Sequence, residues 1–200
     1  MKWVEGNLVS PGRKSLYGER LCGGYRKWDP RRSKLAALVM ADRTLTFTPD
    51  QRVLYLGAGH GTTASHLADY VEVVYAVEIA PRPFQDLLRI CREKENLIPL
   101  LNDAMHPVSY APFVETVDIL YQDVAQPSQA EIAVRNHVFL RPGGILILML
   151  KTACVDSTRP PEEVFGETVE SLGKAYTVQR TCWLSPHFPD HAAIVAEAIK

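Results

Sequence analysis

No run of apolar residues in this chain approaches the roughly 20 that a membrane-spanning helix needs. The opening residues Met1-Lys2-Trp3-Val4-Glu5 hold no apolar stretch of the kind a secretory signal requires. The expectation is a cytoplasmic chain without membrane contact. Four cysteines, at positions 22, 91, 154 and 182, form no C-x-x-C pair, and the six histidines do not gather around them. That spacing argues against a zinc site and against a disulfide framework, so no metal is expected and the thiols read as idle in a reducing compartment. Internal repeats and low-complexity tracts are missing too. What remains is 46% hydrophobic and 22% charged residues, an ordinary globular balance over 200 residues. That length fits one domain with a small appendage and a real core.

Charge is nearly balanced overall at −1 but unevenly placed. Residues 1–48 hold ten Lys/Arg and four Asp/Glu, whereas residues 49–200 hold twelve and nineteen. A basic segment on an acidic body suits an anionic partner for that segment, or simply a solvated basic surface. The same segment is rich in Gly, Arg and aromatics, which predicts short strands in a small N-terminal subdomain over 1–48. Ser33 can cap a helix to about Ala41, since Leu35, Leu38 and Val39 share a face.

From residue 49 onward, apolar runs alternate with amphipathic segments. Strands are predicted over 53–57, 73–78, 97–101, 117–122 and 145–150. Helices are predicted over 62–69, 83–95, 128–139 and 162–175. Arg141-Pro142-Gly143-Gly144 reads as a turn, and 176–184 with 191–199 as a closing strand pair. Such alternation implies a mainly parallel sheet covered on both faces, with ligands at the carboxyl ends of its strands.

The first of those ends carries Gly57-Ala58-Gly59-His60-Gly61-Thr62-Thr63, and the second ends at Glu78. Glycines let the backbone turn sharply and approach a ligand. A carboxylate at the end of the second strand can accept from both hydroxyls of a ribose. This reads as a pocket for an adenosine-bearing cofactor. Dinucleotide enzymes prefer G-x-G-x-x-G, because a helix N-terminus cradles their pyrophosphate. The G-x-G-x-G spacing here favours S-adenosyl-L-methionine (SAM), which has no phosphate. A dinucleotide and an ordinary strand-to-helix turn remain the alternatives.

Further landmarks follow in order. They are Tyr25-Arg26-Lys27-Trp28-Asp29-Pro30 with Ser33-Lys34-Leu35-Ala36-Ala37, then Tyr55-Leu56-Gly57 to Thr63, Tyr75-Ala76-Val77-Glu78 and Pro81-Arg82. Asp103-Ala104, Asp123-Val124-Ala125-Gln126-Pro127, Lys151 with Val155-Asp156-Ser157-Thr158, and Asp190-His191-Ala192 complete them. Over nearly its whole length the chain resembles the fibrillarin family, the RNA 2′-O-methyltransferases of box C/D guide-RNA particles. It departs from the family in its glycine loop, in a short connection over 69–73, and in His187-Phe188-Pro189, where Tyr-Glu-Arg/Lys is common. It also shows no Gly/Arg-rich tail, so the resemblance is to the archaeal type.

The resemblance implies an α/β fold of the Rossmann-like, class I SAM-dependent methyltransferase kind, with a mainly parallel seven-stranded sheet over 49–200. It implies a catalytic cluster of Lys34, Asp123, Lys151 and His191. Lys151 would orient or deprotonate the 2′-hydroxyl, and Asp123 would fix Lys151. Each has a plainer alternative: Lys151 as a surface lysine, Asp123 as a helix cap, Lys34 as a phosphate contact, His191 as a structural hydrogen-bonder. For the cofactor it implies Gly57, Gly59, Thr62, Thr63, Glu78, Ile79, Asp103, Ala104, Asp123, Val124, Ala125 and Gln126. Thr62 and Thr63 would lie near the methionine tail or ribose, and Asp103 would accept from the adenine amine.

The partners implied are a Nop-family scaffold protein, a box C/D guide RNA with its target RNA, and a kink-turn-binding ribosomal-type protein. An acidic body binds bare RNA poorly, which suits delivery of the substrate by a guide. Two other functions fit less well: a SAM-dependent protein glutamine methyltransferase, and a particle scaffold without catalysis.

Overall fold

The computed structural model describes residues 1–199. Two tight hairpins begin the chain. Strands β1 (Lys2–Val4) and β2 (Asn7–Ser10) turn through Glu5 and Gly6, and β3 (Leu21–Cys22) and β4 (Tyr25–Lys27) turn through Gly23 and Gly24. All four turn residues have positive φ, as the two-residue turns that match strand twist require. The strands form one sheet in the order β1-β2-β4-β3. Helix α1 (Lys34–Ala41) follows, with the Ser33 hydroxyl accepting the Ala36 N–H at its N-terminus.

The second sheet is built from β5 (Arg52–Leu56), β6 (Val73–Glu78), β7 (Leu97–Leu101), β8 (Val117–Gln122), β9 (Leu140–Lys151), β10 (Tyr176–Trp183) and β11 (His191–Ala198). Its order is β10-β11-β9-β8-β5-β6-β7. The five strands from β9 to β7 run parallel, and β11 pairs antiparallel with both β9 and β10. This is the expected mainly parallel, seven-stranded sheet. Helices α2 (Thr62–Leu67), α3 (Pro81–Cys91), α4 (Gln129–Asn136), α5 (Thr152–Val155) and α6 (Pro161–Leu172) cover its faces. The inner strands are mainly apolar, as burial of both their faces in two core layers requires.

Helices α2, α3 and α6 end two to four residues before the expected 69, 95 and 175, and four further details differ from the sequence reading. Arg141–Gly144 is no free turn but part of β9. There the register advances two residues on β8 and five on β9, so Pro142, Gly143 and Gly144 are accommodated as an outward bulge. Helix α3 starts at Pro81, two residues before the expected 83, because proline suits a first turn whose N–H needs no partner. The helix expected over 128–139 is α-helical only to Asn136 and ends in a 3₁₀ turn. The short α5 was not expected, since four residues carry no readable period.

The first 48 residues share a core with the larger sheet. Leu8, Trp28, Leu35, Leu38 and Val39 pack in one cluster with Val53, Tyr55 and Tyr121. A buried polar cluster joins the same two parts. Arg26 donates to Glu19 at 2.5 Å, to Asp69 at 2.9 Å, and to the carbonyl and hydroxyl of Ser65. His66 on α2 stacks on Trp28 and bonds Ser10 Oγ at 2.7 Å.

Candidate active site

Strand crossovers bring four carboxyl ends to one edge of the sheet. After β5, Gly57 turns with φ 81, and a Cβ there would lie 2.4 Å from the Asp123 carbonyl oxygen. Only glycine permits that approach, and it lets the Asp123 N–H bond the Leu56 carbonyl at 2.9 Å. The space where a Cβ on Gly59 would sit is open. After β6, the buried Glu78 accepts the Gly59 N–H on one oxygen and the Ala80 N–H on the other, each at 2.7 Å. Each carboxylate oxygen keeps a second lone pair. A ribose diol could use both.

Between these ends lies a cavity of about 310 Å³, within the range of small-molecule sites. Its lining includes Gly57, Gly59, Glu78, Ile79, Ala104, Asp123, Val124, Ala125 and Gln126, all named from the sequence. Val77 and Asn102 also line it and were not named. Three named residues are not part of this lining. Asp103, between the lining residues Asn102 and Ala104, accepts the Met105 N–H at 2.9 Å on one carboxylate oxygen and is partly exposed. Thr62 borders a separate depression with Leu16, Tyr17 and Arg32. Thr63 is buried and donates to Ser33 Oγ at 2.9 Å. A larger cavity of about 500 Å³ between α4 and α6 contains none of these groups.

At the cavity's edge stand Lys34, Asp123, Lys151 and His191. Here the expected pairing is corrected. The Asp123 carboxylate is held by Lys34, at 2.7 Å, rather than by Lys151. Helix α1 carries Lys34 across 89 positions of sequence to reach it. Among the described residues, Lys151 Nζ has no hydrogen-bond partner. Burial pushes the Asp123 carboxyl above its usual range, against the pull of Lys34 and Lys151. His191 lies opposite Lys151 in the β9–β11 ladder. Burial, then the charges of Lys34 and Lys151, lower it to about 4 against the pull of Asp190. It is therefore neutral near pH 7, and its Nδ1 is buried with no partner. The Phe188 ring packs edge-on to His191 at 5.7 Å, with Lys34 Nζ 5.5 Å from its centroid.

The order of the parallel strands, the glycine turn after the first of them and the carboxylate ending the second define a Rossmann-like, SAM-dependent methyltransferase. The family model described as Fibrillarin matches residues 3–200, and the chain belongs to the fibrillarin family. A fibrillarin-like rRNA/tRNA 2′-O-methyltransferase of Methanoculleus marisnigri is 57% identical over 195 residues, covering 98% of each chain. A fibrillarin solved in complex with Nop5p superposes with a TM-score of 0.93 at 42% identity, covering 98% of this chain and 96% of that one. Aeropyrum pernix fibrillarin with natively bound SAM gives a TM-score of 0.83 at 41% identity, covering 95% and 86%.

Proposed function

We propose that this chain transfers the methyl group of SAM to the ribose 2′-hydroxyl of rRNA and tRNA nucleotides chosen by a box C/D guide RNA. One observation carries the reading: the Lys34–Asp123 ion pair, Lys151 and His191 converge at the mouth of a cavity whose far side presents Glu78. SAM supplies an electrophilic methyl carbon on a sulfonium. Glu78 holds the ribose of that cofactor through its remaining lone pairs, and Ala104, Val124 and Ile79 border the adenine. Asp123 places negative charge near the sulfonium, while Lys34 keeps that carboxylate oriented.

Lys151 Nζ is the polar group available to orient the incoming hydroxyl. His191, neutral and fixed on β11, can accept a hydrogen bond there; as the oxygen–carbon bond forms and the carbon–sulfur bond breaks, the hydroxyl proton leaves to solvent and the donor departs as neutral S-adenosylhomocysteine. Much of the rate then comes from alignment of oxygen, carbon and sulfur. The guide RNA pairs with the target and so selects the nucleotide. The Nop5p complex of a relative supports a Nop-family scaffold as the direct partner. We assign the kink-turn-binding protein to the same particle, working in the cytoplasm, as the archaeal relatives suggest. Among the described residues, no helix is long and apolar enough to cross a membrane.

The test is methyl incorporation from labelled SAM, with the chain alone and in a particle reconstituted from scaffold, kink-turn protein and guide. Label should appear on one 2′-oxygen at the guide-designated nucleotide, and Lys151→Ala should abolish it with cofactor affinity nearly intact. Label on protein, or none at all, would refute the reading.

A further inference from the structure

Lys151 ends β9 where the ladder leaves its main chain without a strand partner. On one side it faces His191 of β11, and the Thr152 N–H donates to the Asp190 carbonyl. Antiparallel rungs alternate, so Lys151 and His191 form a non-hydrogen-bonded pair. Their side chains approach each other, while the Lys151 N–H and carbonyl point away from β11. On the other side β8 has already ended. Its last rung pairs Gln122 with Leu148, and the chain then departs at Asp123.

A side chain stands in for the missing rung. Gln129 Oε1 accepts the Lys151 N–H at 3.0 Å, and Gln129 Nε2 donates to the Lys151 carbonyl at 3.0 Å. Gln129 is wholly buried and begins α4. Its own carbonyl accepts Gln122 Nε2 at 2.7 Å, which ties the amide to the end of β8. A carboxamide offers a donor and an acceptor in one plane, as a strand would; a hydrocarbon offers neither.

We propose that Gln129 is a positioning residue for methyl transfer: its amide completes the sheet at Lys151 and so aims the Lys151 amine and the His191 imidazole together at the methyl-accepting position. This rests on the role assigned to Lys151 above. A displacement of about 1 Å at a reacting group can cost on the order of a hundredfold in rate. Two buried backbone groups without partners would also loosen the strand end.

Three variants test this: Gln129→Leu, Gln129→Glu and Lys151→Met. In the purified chain without cofactor, the Lys151 amide hydrogen, followed by NMR, should exchange at least about tenfold faster in Gln129→Leu, in keeping with the loss of its acceptor. Calorimetry should find SAM affinity within about twofold of wild type, because Gln129 does not line the cavity. Single-turnover transfer in the reconstituted particle should fall at least about tenfold.

Gln129→Glu adds a readout that does not depend on the leucine variant folding. A neutral carboxyl restores both donor and acceptor, whereas an ionised one cannot donate to the Lys151 carbonyl. Its rate relative to wild type should therefore rise as pH falls. Asp123, Lys34, His191 and Asp190, the charged and titratable groups around Lys151, are common to both proteins and divide out. Wild-type exchange with wild-type turnover in Gln129→Leu, or a pH-independent ratio for Gln129→Glu, would overturn the proposal. Full turnover in Lys151→Met would instead overturn the role of Lys151, and the exchange rate would still decide whether Gln129 holds the strand end.

Discussion

Glu78 shows how one side chain can build a turn and still have capacity for a ligand. It ties down the Gly59 and Ala80 amides, so the glycine turn and the start of α3 are ordered around one carboxylate. Glu78→Gln keeps the size but loses the charge that strengthens bonds to hydroxyl donors, and its amide nitrogen can no longer accept one of the two backbone N–H groups. Hydrogen bonds to charged groups contribute about 1.5–3 kcal/mol, so calorimetry should show SAM binding weakened about tenfold or more. Gly57 is constrained from two sides, by its positive φ and by the Asp123 carbonyl. Gly57→Ala should destabilise the fold by about 1–3 kcal/mol in urea unfolding, because strain and overlap add. It should also impair methyl transfer by pushing Asp123 away from Lys34.

Helix α1 acts as an arm. Its buried face, Leu35 to Val39, packs on the core, and its first residue is Lys34. The Ser33 hydroxyl accepts the Ala36 N–H at 3.2 Å and a bond from Thr63 at 2.9 Å. The N-cap is thereby joined to α2, next to the glycine turn. Thr63 therefore also supports this helix. Ser33→Ala should cost about 1 kcal/mol of stability by denaturant titration. It should slow methyl transfer more than it weakens SAM binding, because Lys34 loses its anchor while Glu78 does not.

Over the whole molecule, the basic N-terminal part and the acidic sheet are joined by the Arg26 cluster. Arg26→Ala leaves Glu19 buried without its cation and Asp69 with Lys94 alone, and removing one partner of such a cluster costs about 3–5 kcal/mol. The expected result is a clear fall in thermal midpoint. Acid should act through the same region and through His191 at the sheet's edge. His191 is lowered to about 4 from an ordinary 6.5, and buried His66 is lowered too. The unfolded chain then takes up these protons first, so stability is lost as pH falls from 6.5 towards 4. Burial acts to raise Glu19, but the Tyr17 N–H and Arg26 outweigh it and bring it to about 2 from 4.5. Its contribution is present above 4.5 and lost between 4.5 and 2. Thermal midpoints measured across this range should fall in both windows. Replacing His66 by Gln should make the fall in the upper window smaller and leave the share due to His191.

Alternating apolar and amphipathic segments were enough to specify a parallel sheet with covered faces, because burial on both sides of a strand is written in its own residues. The glycine turn and Glu78 were legible for a similar reason: each acts through nearby backbone. The family motifs added Lys34, Asp123, Lys151 and His191. Which of these pair could not be read along the chain. Lys34 reaches Asp123 only because α1 packs on the core layer beside β5 and β8, and Lys151 stands free of that ion pair. Asn102 lines the cavity beside Asp103, one of whose oxygens a local turn holds. Nothing in the sequence singled out Gln129; its role appears only where β8 stops three residues short of the end of β9. Periodicity states which side of an element is buried. Which groups meet at the sheet's edge depends on where each strand ends and what crosses above it, and that is settled only when the layers pack.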